Sequence, residues 1–140
     1  MNRPAEQQYD LAGKVIGLAM SVHSELGSGF LESVYENSLC IELEMAGISF
    51  ERQKHLDVFY KRQLAGQFTA DIVVEETLIV ELKSVQNLVA AHEVQLVNYL
   101  TATKLDEGLL LNFGAQSLQF KKKFRQYRPS STEQNSVSFR

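Results

Sequence analysis

The chain has 140 residues, 44% of them hydrophobic and 22% charged, and a formal net charge of −3. That size suits one domain with a real core, and no apolar run approaches the roughly 18 residues of a membrane span. The polar start Met1-Asn2-Arg3-Pro4-Ala5-Glu6 shows no secretory signal pattern, and the single cysteine, Cys40, excludes an intrachain disulfide or a cysteine-rich metal cluster, so a cytoplasmic protein is expected.

Helical spacing of Leu11, Val15, Leu18, Ala19 and Val22 predicts a helix over 10–25 with Asp10 as its N-cap. Gly27-Ser28-Gly29 ends it. A second helix is expected from Leu31 to Ala46, with Leu31, Val34, Tyr35, Leu39 and Leu43 as its apolar stripe and Gly47 as terminator. Cys40 falls inside this pattern as a small core residue. Ile48–Tyr60, Gln63–Val74 and Leu78–Ser84 read as strands, the first two joined by a polar turn at Lys61-Arg62. A third helix is expected over 88–103, with Leu88, Ala91, Val94, Gln95, Asn98 and Tyr99 in register. Leu109–Phe113 reads as a short buried strand and Leu118–Arg128 as a final one. The Ser-, Gln- and Asn-rich stretch 129–140 reads as a disordered tail after a single domain over 1–128. The order αα, three or four strands, α, two strands predicts a mixed α/β or α+β domain with helices flanking one central sheet.

The stretch Asp71 to Lys83 stands out. Apolar strand-like runs carry Asp71 at the start of one, and Glu81 and Lys83 near the end of the other. Burying an unpaired charge costs several kcal/mol, roughly, so such residues need a reason. A divalent metal is one, because it neutralises two carboxylates while a lysine stabilises developing negative charge; that points to metal-dependent phosphodiester hydrolysis. Glu81 and Lys83 share a strand face. A three-residue loop of Glu75, Glu76 and Thr77 pairs Val74 with Leu78 and brings Asp71 opposite Glu81 on that face; a two-residue loop would need a bulge to do so. The competing reading is an ordinary hairpin with a solvated polar face.

Gln95 and Tyr99 lie four apart on one helical face, with His92 three before Gln95. They suit contacts to a phosphate, or else a core tyrosine with a rim neighbour. Glu32 follows Gly29 at a loop-to-helix junction and reads either as a further acid at the site or as a first-turn carboxylate favoured by the helix dipole. His23 lies near the same junction. Lys121, Lys122, Lys123, Arg125 and Arg128, interleaved with Phe120, Phe124 and Tyr127, form a basic run. It suits phosphate contacts, or a lysine-protected edge strand. There is no phosphate-binding glycine loop, no close histidine spacing and no Gly-x-Ser-x-Gly elbow.

Gly29-x-x-Glu32-x-x-Tyr35 resembles the signature of the GxxExxY proteins, a prokaryotic group within the PD-(D/E)xK nuclease superfamily. Asp71 followed by Glu81-x-Lys83 resembles the superfamily's core motif, and Gln95-x-x-x-Tyr99 resembles the helix motif of its helicase-associated exonuclease branch. Together they span roughly residues 8–128. Ala70 stands where the superfamily's name has proline, a position chemistry does not require. The resemblance implies a restriction-endonuclease-like core and a Mg²⁺- or Mn²⁺-dependent nuclease. Asp71, Glu81 and the Leu82 backbone carbonyl would hold the metal with Glu32 closing its shell, Lys83 would serve the attacking water or the transition state, and Gln95 and Tyr99 would fix the strand. DNA is the first expectation for substrate, ahead of RNA, with no membrane partner and with a homodimer or protein partner as a further expectation. Two alternatives stand beside it, a non-catalytic nucleic-acid-binding or assembly module on a nuclease fold, and a metal enzyme for another phosphate ester.

Overall fold

A computed structural model describes residues 10–125. Its first helix, α1 (Leu11–Leu26), is capped by the Asp10 carboxylate, which accepts from the Gly13 N–H at 2.9 Å. The second, α2 (Glu32–Met45), is followed by a meander of β1 (Phe50–Tyr60), β2 (Gln63–Val74) and β3 (Leu78–Lys83). Then come α3 (Ala90–Thr103), β4 (Glu107–Asn112) and β5 (Gln119–Phe124). The five strands form one sheet in the order β1-β2-β3-β4-β5. All neighbours are antiparallel except β3 and β4, which are parallel and joined through α3. A parallel pair needs such a crossover. This is the expected mixed sheet with flanking helices, a restriction-endonuclease-like α+β fold.

The helices divide between the two faces. On one, α1 and α2 cover Ile72, Val74, Leu78, Val80, Leu82, Leu109 and Leu111. On the other, Leu96 and Leu100 of α3 cover Ala70, Val73, Ile79 and Leu110. Strand alternation sends successive residues of β3 and β4 to opposite faces, which is why these strands read as continuous apolar runs. Among the described residues no helix is long and apolar enough to cross a membrane.

Two apolar stripes differ from expectation. Leu31 is the exposed N-cap residue of α2 rather than part of its core stripe. In α3 the core face is Leu96 and Leu100, while Ala91, Val94, Gln95 and Asn98 are exposed. The fully buried residues are one position out of phase with the expected ones, because this helix leaves apolar side chains in solvent. The strands are also shorter than expected at several ends: β3 stops at Lys83 and β5 at Phe124. Tyr127 and Arg128 of the basic run, and the stretch 129–140, lie outside the described residues.

Candidate active site

The β2–β3 hairpin turns through Glu75, Glu76 and Thr77, with φ of +50° at Glu75 and +60° at Glu76. Val74 pairs with Leu78, Val73 with Ile79 and Ile72 with Val80. That is the three-residue register. The ladder stops where the acids begin. The Asp71 carboxylate accepts the Leu82 N–H at 2.8 Å, and the Asp71 N–H donates to Glu81 Oε2 at 3.3 Å. Side-chain oxygens here take the place of the next backbone bonds.

The strand also changes phase at this point. Ala70 and Val73 both pack on the α3 side, although they are three apart, while Ile72 faces α1 and α2. One residue of alternation is lost, and Asp71 is the residue that absorbs it. Across on β1, Arg52 pairs with Ile72 and Lys54 with Ala70. Gln53, between them and opposite Asp71, has a φ of +48°. A non-glycine residue in that region inside a strand carries strain of order 1–3 kcal/mol. So the odd loop and a local irregularity occur together at the acid.

Ile79 packs on the α3 side, and by twofold alternation Glu81 and Lys83 follow it there. Burial first, and then the Asp71 charge, push the Glu81 carboxyl up to about 8, against smaller opposing effects from the Asp71 N–H and from Lys83. Two carboxylates are crowded together with one lysine to offset them. Tyr99 belongs to the same neighbourhood. Burial raises its phenol, and the Glu81 charge adds to the rise. Its ring stacks on Phe68 of β2 with centroids 3.5 Å apart. Gln95 is exposed one turn earlier on α3. His92 has a local role, its Nδ1 accepting the Val89 N–H at 3.2 Å at the helix start.

Glu32 is exposed in the first turn of α2. The acid that reaches inward from this helix is Glu36, which is 8% exposed. Arg52 donates to its Oε2 from Nε at 3.1 Å and from a terminal nitrogen at 3.0 Å, and Gln53 Nε2 donates to its Oε1 at 2.9 Å. Gln53 Nε2 also lies 3.5 Å from Asp71 Oδ1, so Glu36 orients the residue across from Asp71. The sequence carried a signal for this. Glu36, Cys40 and Leu43 follow helical spacing along the buried stripe of α2, so an acid stands in an apolar row.

The Gly29-x-x-Glu32-x-x-Tyr35 segment acts as a brace. The buried Tyr35 hydroxyl donates to the Gly27 carbonyl and accepts the Phe30 N–H at 3.2 Å, and its ring stacks on Phe113 at 4.6 Å. Gly29 between them has a φ of +112°, which suits glycine. The braced loop meets the end of β3, since Ser84 Oγ donates to the Phe30 carbonyl at 2.8 Å. From the other side, fully buried Asn112 grips the same segment. Its Oδ1 accepts the Val85 N–H at 2.9 Å, and its Nδ2 donates to the Val85 carbonyl at 2.8 Å and to Gln119 Oε1 at 2.8 Å. Gly114 completes the contact, because a Cβ there would stand 2.3 Å from the Val85 carbonyl oxygen. His23, expected near this junction, is buried with its Nε2 3.0 Å from the Ala115 carbonyl oxygen.

Part of the basic run is already paired. Lys123 bridges Glu93 at 3.0 Å and Arg125 bridges Asp106 at 2.7 Å, while Lys121 and Lys122 are exposed on edge strand β5. Among the described residues, no three His, Cys, Asp or Glu side chains converge to enclose a metal ion. The Asp71–Glu81 pair nevertheless fits a hard divalent cation. Both donors are carboxylates, they crowd each other, and the ionisation of Glu81 is held back by burial and by its neighbour. A Mg²⁺-type site commonly uses one or two carboxylates and completes its shell with water and substrate oxygens.

A profile of the PD-(D/E)XK nuclease superfamily matches residues 9–126. Among solved structures, the chain resembles a protein designated SSO0001, with a TM-score of 0.57 and 14% identity over 81% of this chain and 67% of that one. It also resembles an alkaline exonuclease (LHK-Exo) from Laribacter hongkongensis, with a TM-score of 0.50 and 10% identity over 85% and 73% of the two chains. At such identities the likeness concerns the fold. No curated protein matches the chain in sequence.

Proposed function

The chain belongs to the PD-(D/E)XK nuclease superfamily, and on that premise we propose that it is a metal-dependent nuclease hydrolysing phosphodiester bonds of nucleic acid, DNA before RNA. The observation that carries this is the coupled carboxylate pair Asp71–Glu81, with Lys83 on the Glu81 face. Bound Mg²⁺ or Mn²⁺ would supply Lewis acidity to the scissile phosphate and to an attacking water.

The protein's own groups divide the remaining work. Asp71 and Glu81 bind the ion, with the Leu82 carbonyl as a further oxygen, and their mutual repulsion is what the cation relieves. Lys83 donates to the phosphate oxygen on which charge grows, a contribution strongest in a site shielded from water. Gln95 and Tyr99 hold the strand from α3. Glu36 fixes Gln53 and, through it, the Asp71 carboxylate, while Glu32 serves the rim of the site. We assign the chain to the GxxExxY group on its Gly29, Glu32 and Tyr35, and read 1–128 as one nuclease domain followed by a tail. A cytoplasmic setting and a dimer or protein partner complete this reading.

Cleavage of labelled single- and double-stranded DNA and RNA, with Mg²⁺, Mn²⁺ or chelator, tests it. Cutting that needs metal and is lost in Asp71→Ala supports the proposal. No cutting and no metal binding by the parent protein would leave a nucleic-acid-binding module on a nuclease fold.

A further inference from the structure

β1 and β2 outrun their sheet. β2 last pairs with β3 at Ile72, yet it continues with β1 to the turn at Lys61 and Arg62. The outer half of this hairpin is therefore a two-stranded arm that starts at Asp71. Its base leans on α3, through Phe68 stacked on Tyr99 and through partly buried Leu56. Beyond Phe68 it stands free. Phe59 is 62% exposed, Tyr60 66% and Leu64 55%. A bulge between Val58 and Phe59 adds twist to the free end.

The turn is chemically unusual. Tyr60 pairs with Gln63, so Lys61 and Arg62 are the two loop residues, with φ of +50° and +66°. Two-residue hairpins of this shape favour Asn-Gly, because each bulky residue held at positive φ costs about 1–2 kcal/mol. Here both positions carry exposed cations. The Lys61 ammonium lies 5.3 Å from the Tyr60 ring centroid, so charge and aromatic face are presented together. Stability alone does not account for strain retained at two adjacent cations, whereas ligand contact does.

We propose that this arm is a nucleic-acid clamp, with Lys61 and Arg62 taking backbone phosphates and Tyr60 and Phe59 offering stacking surfaces to bases of the strand cut at Asp71. The inference rests on the nuclease reading and extends it to a footprint. Gln63 lies eight residues from Asp71 along β2, so the tip reaches about 26 Å at ~3.3 Å per residue. That equals about eight nucleotides at ~3.4 Å each. Charge favours a polyanion over a second copy of the chain, since two tips meeting would bring four cations together. Aromatic stacking combined with cations is the recurrent chemistry of single-strand recognition.

The test compares the parent with Lys61→Ala/Arg62→Ala and with Tyr60→Ala, using labelled DNA and RNA of about 30 and about 6 nucleotides, lengths above and below the footprint. Binding is read by anisotropy in chelator across a salt series, cleavage with Mg²⁺ or Mn²⁺, and size by light scattering. On the long strand the double variant should bind about tenfold more weakly, with its salt slope reduced by about 1.8 for two lost phosphate contacts. Turnover of the short strand should match the parent. Arm variants that bind and cut long strands like a fully active parent would overturn the clamp alone. A parent that neither binds nor cuts would overturn the clamp and the nuclease reading together. A parent dimer that becomes monomeric in the arm variants, with affinity for the long strand unchanged, would make the arm a self-association element and overturn the clamp.

Discussion

On the α1–α2 side of the sheet, Tyr35, Leu39, Leu43, Ile72, Val80, Leu109 and Phe113 are completely buried in one continuous core. On the α3 side a smaller set, Ala70, Val73, Ile79, Leu96, Leu100 and Leu110, packs together, while Val89 and Val94 of the same region lie 53% and 59% exposed. The candidate chemistry gathers on the second side. Glu81, Lys83 and Tyr99 face it, and Asp71 sits where β2 slips from one side's phase to the other's. The contrast separates two jobs. Dense packing on one face fixes the strands, and Tyr35, Ser84 and Asn112 carry that rigidity to the end of β3. The thinly covered face leaves room for a substrate beside residues so held. Groups that must bind a charged ligand are poorly matched to a fully dry core, because unpaired charge there is so costly.

Variants on the two faces sharpen this division. The largest effect is expected at the acid pair. Asp71→Ala should abolish metal-dependent cleavage while leaving far-UV circular dichroism unchanged, and cleavage near the parent rate would break the assignment of chemistry to this face. Next comes the packed side. Leu39→Ala removes a fully buried side chain and should cost about 2–5 kcal/mol by urea denaturation. A cost under about 1 kcal/mol would mean that this face is not the scaffold.

Glu81 gives an effect of opposite sign. Its folded carboxyl titrates near 8 rather than 4.5. Between those values the folded chain binds a proton that the unfolded chain lacks. Stability is therefore full below about 4.5 and is lost as pH rises through about 8. Glu81→Gln stays neutral throughout, so in chelator it should match the parent at pH 4 and exceed it at pH 9, by on the order of a few kcal/mol. Thermal melts at the two pH values decide the point, and an advantage confined to low pH would contradict it. The smallest effect belongs to the open face away from the site. Val94→Ser should change stability by less than about 0.5 kcal/mol in the same melts.

The hairpin was legible in the sequence because register follows from parity. An odd loop between two alternating runs leaves one way to bring Asp71 opposite Glu81. The kink at Gln53 was not legible, since it comes from how two strands pass from three-stranded to two-stranded pairing. In α3 the periodicity misled, because Val94 resembles a core residue and is exposed, while Leu96 and Leu100 make the contact with the sheet. Glu32 drew attention through its motif spacing, whereas Glu36, the acid linked to Asp71 through Gln53, stood unnoticed in the buried stripe. The partners of Lys123 and Arg125 are Glu93 on α3 and Asp106 just before β4, pairings that only tertiary structure reveals.

The most direct measurement concerns Lys83. Lys83→Ala should keep the parent's fold and bind Mg²⁺ or Mn²⁺ by calorimetry, yet cut nucleic acid slower by on the order of 10²–10³-fold under single-turnover conditions. That result would show that a positive charge beside the carboxylate pair serves the transition state and not the scaffold. A Lys83→Ala protein that folds, binds metal and cuts at the parent rate would contradict the account at its centre.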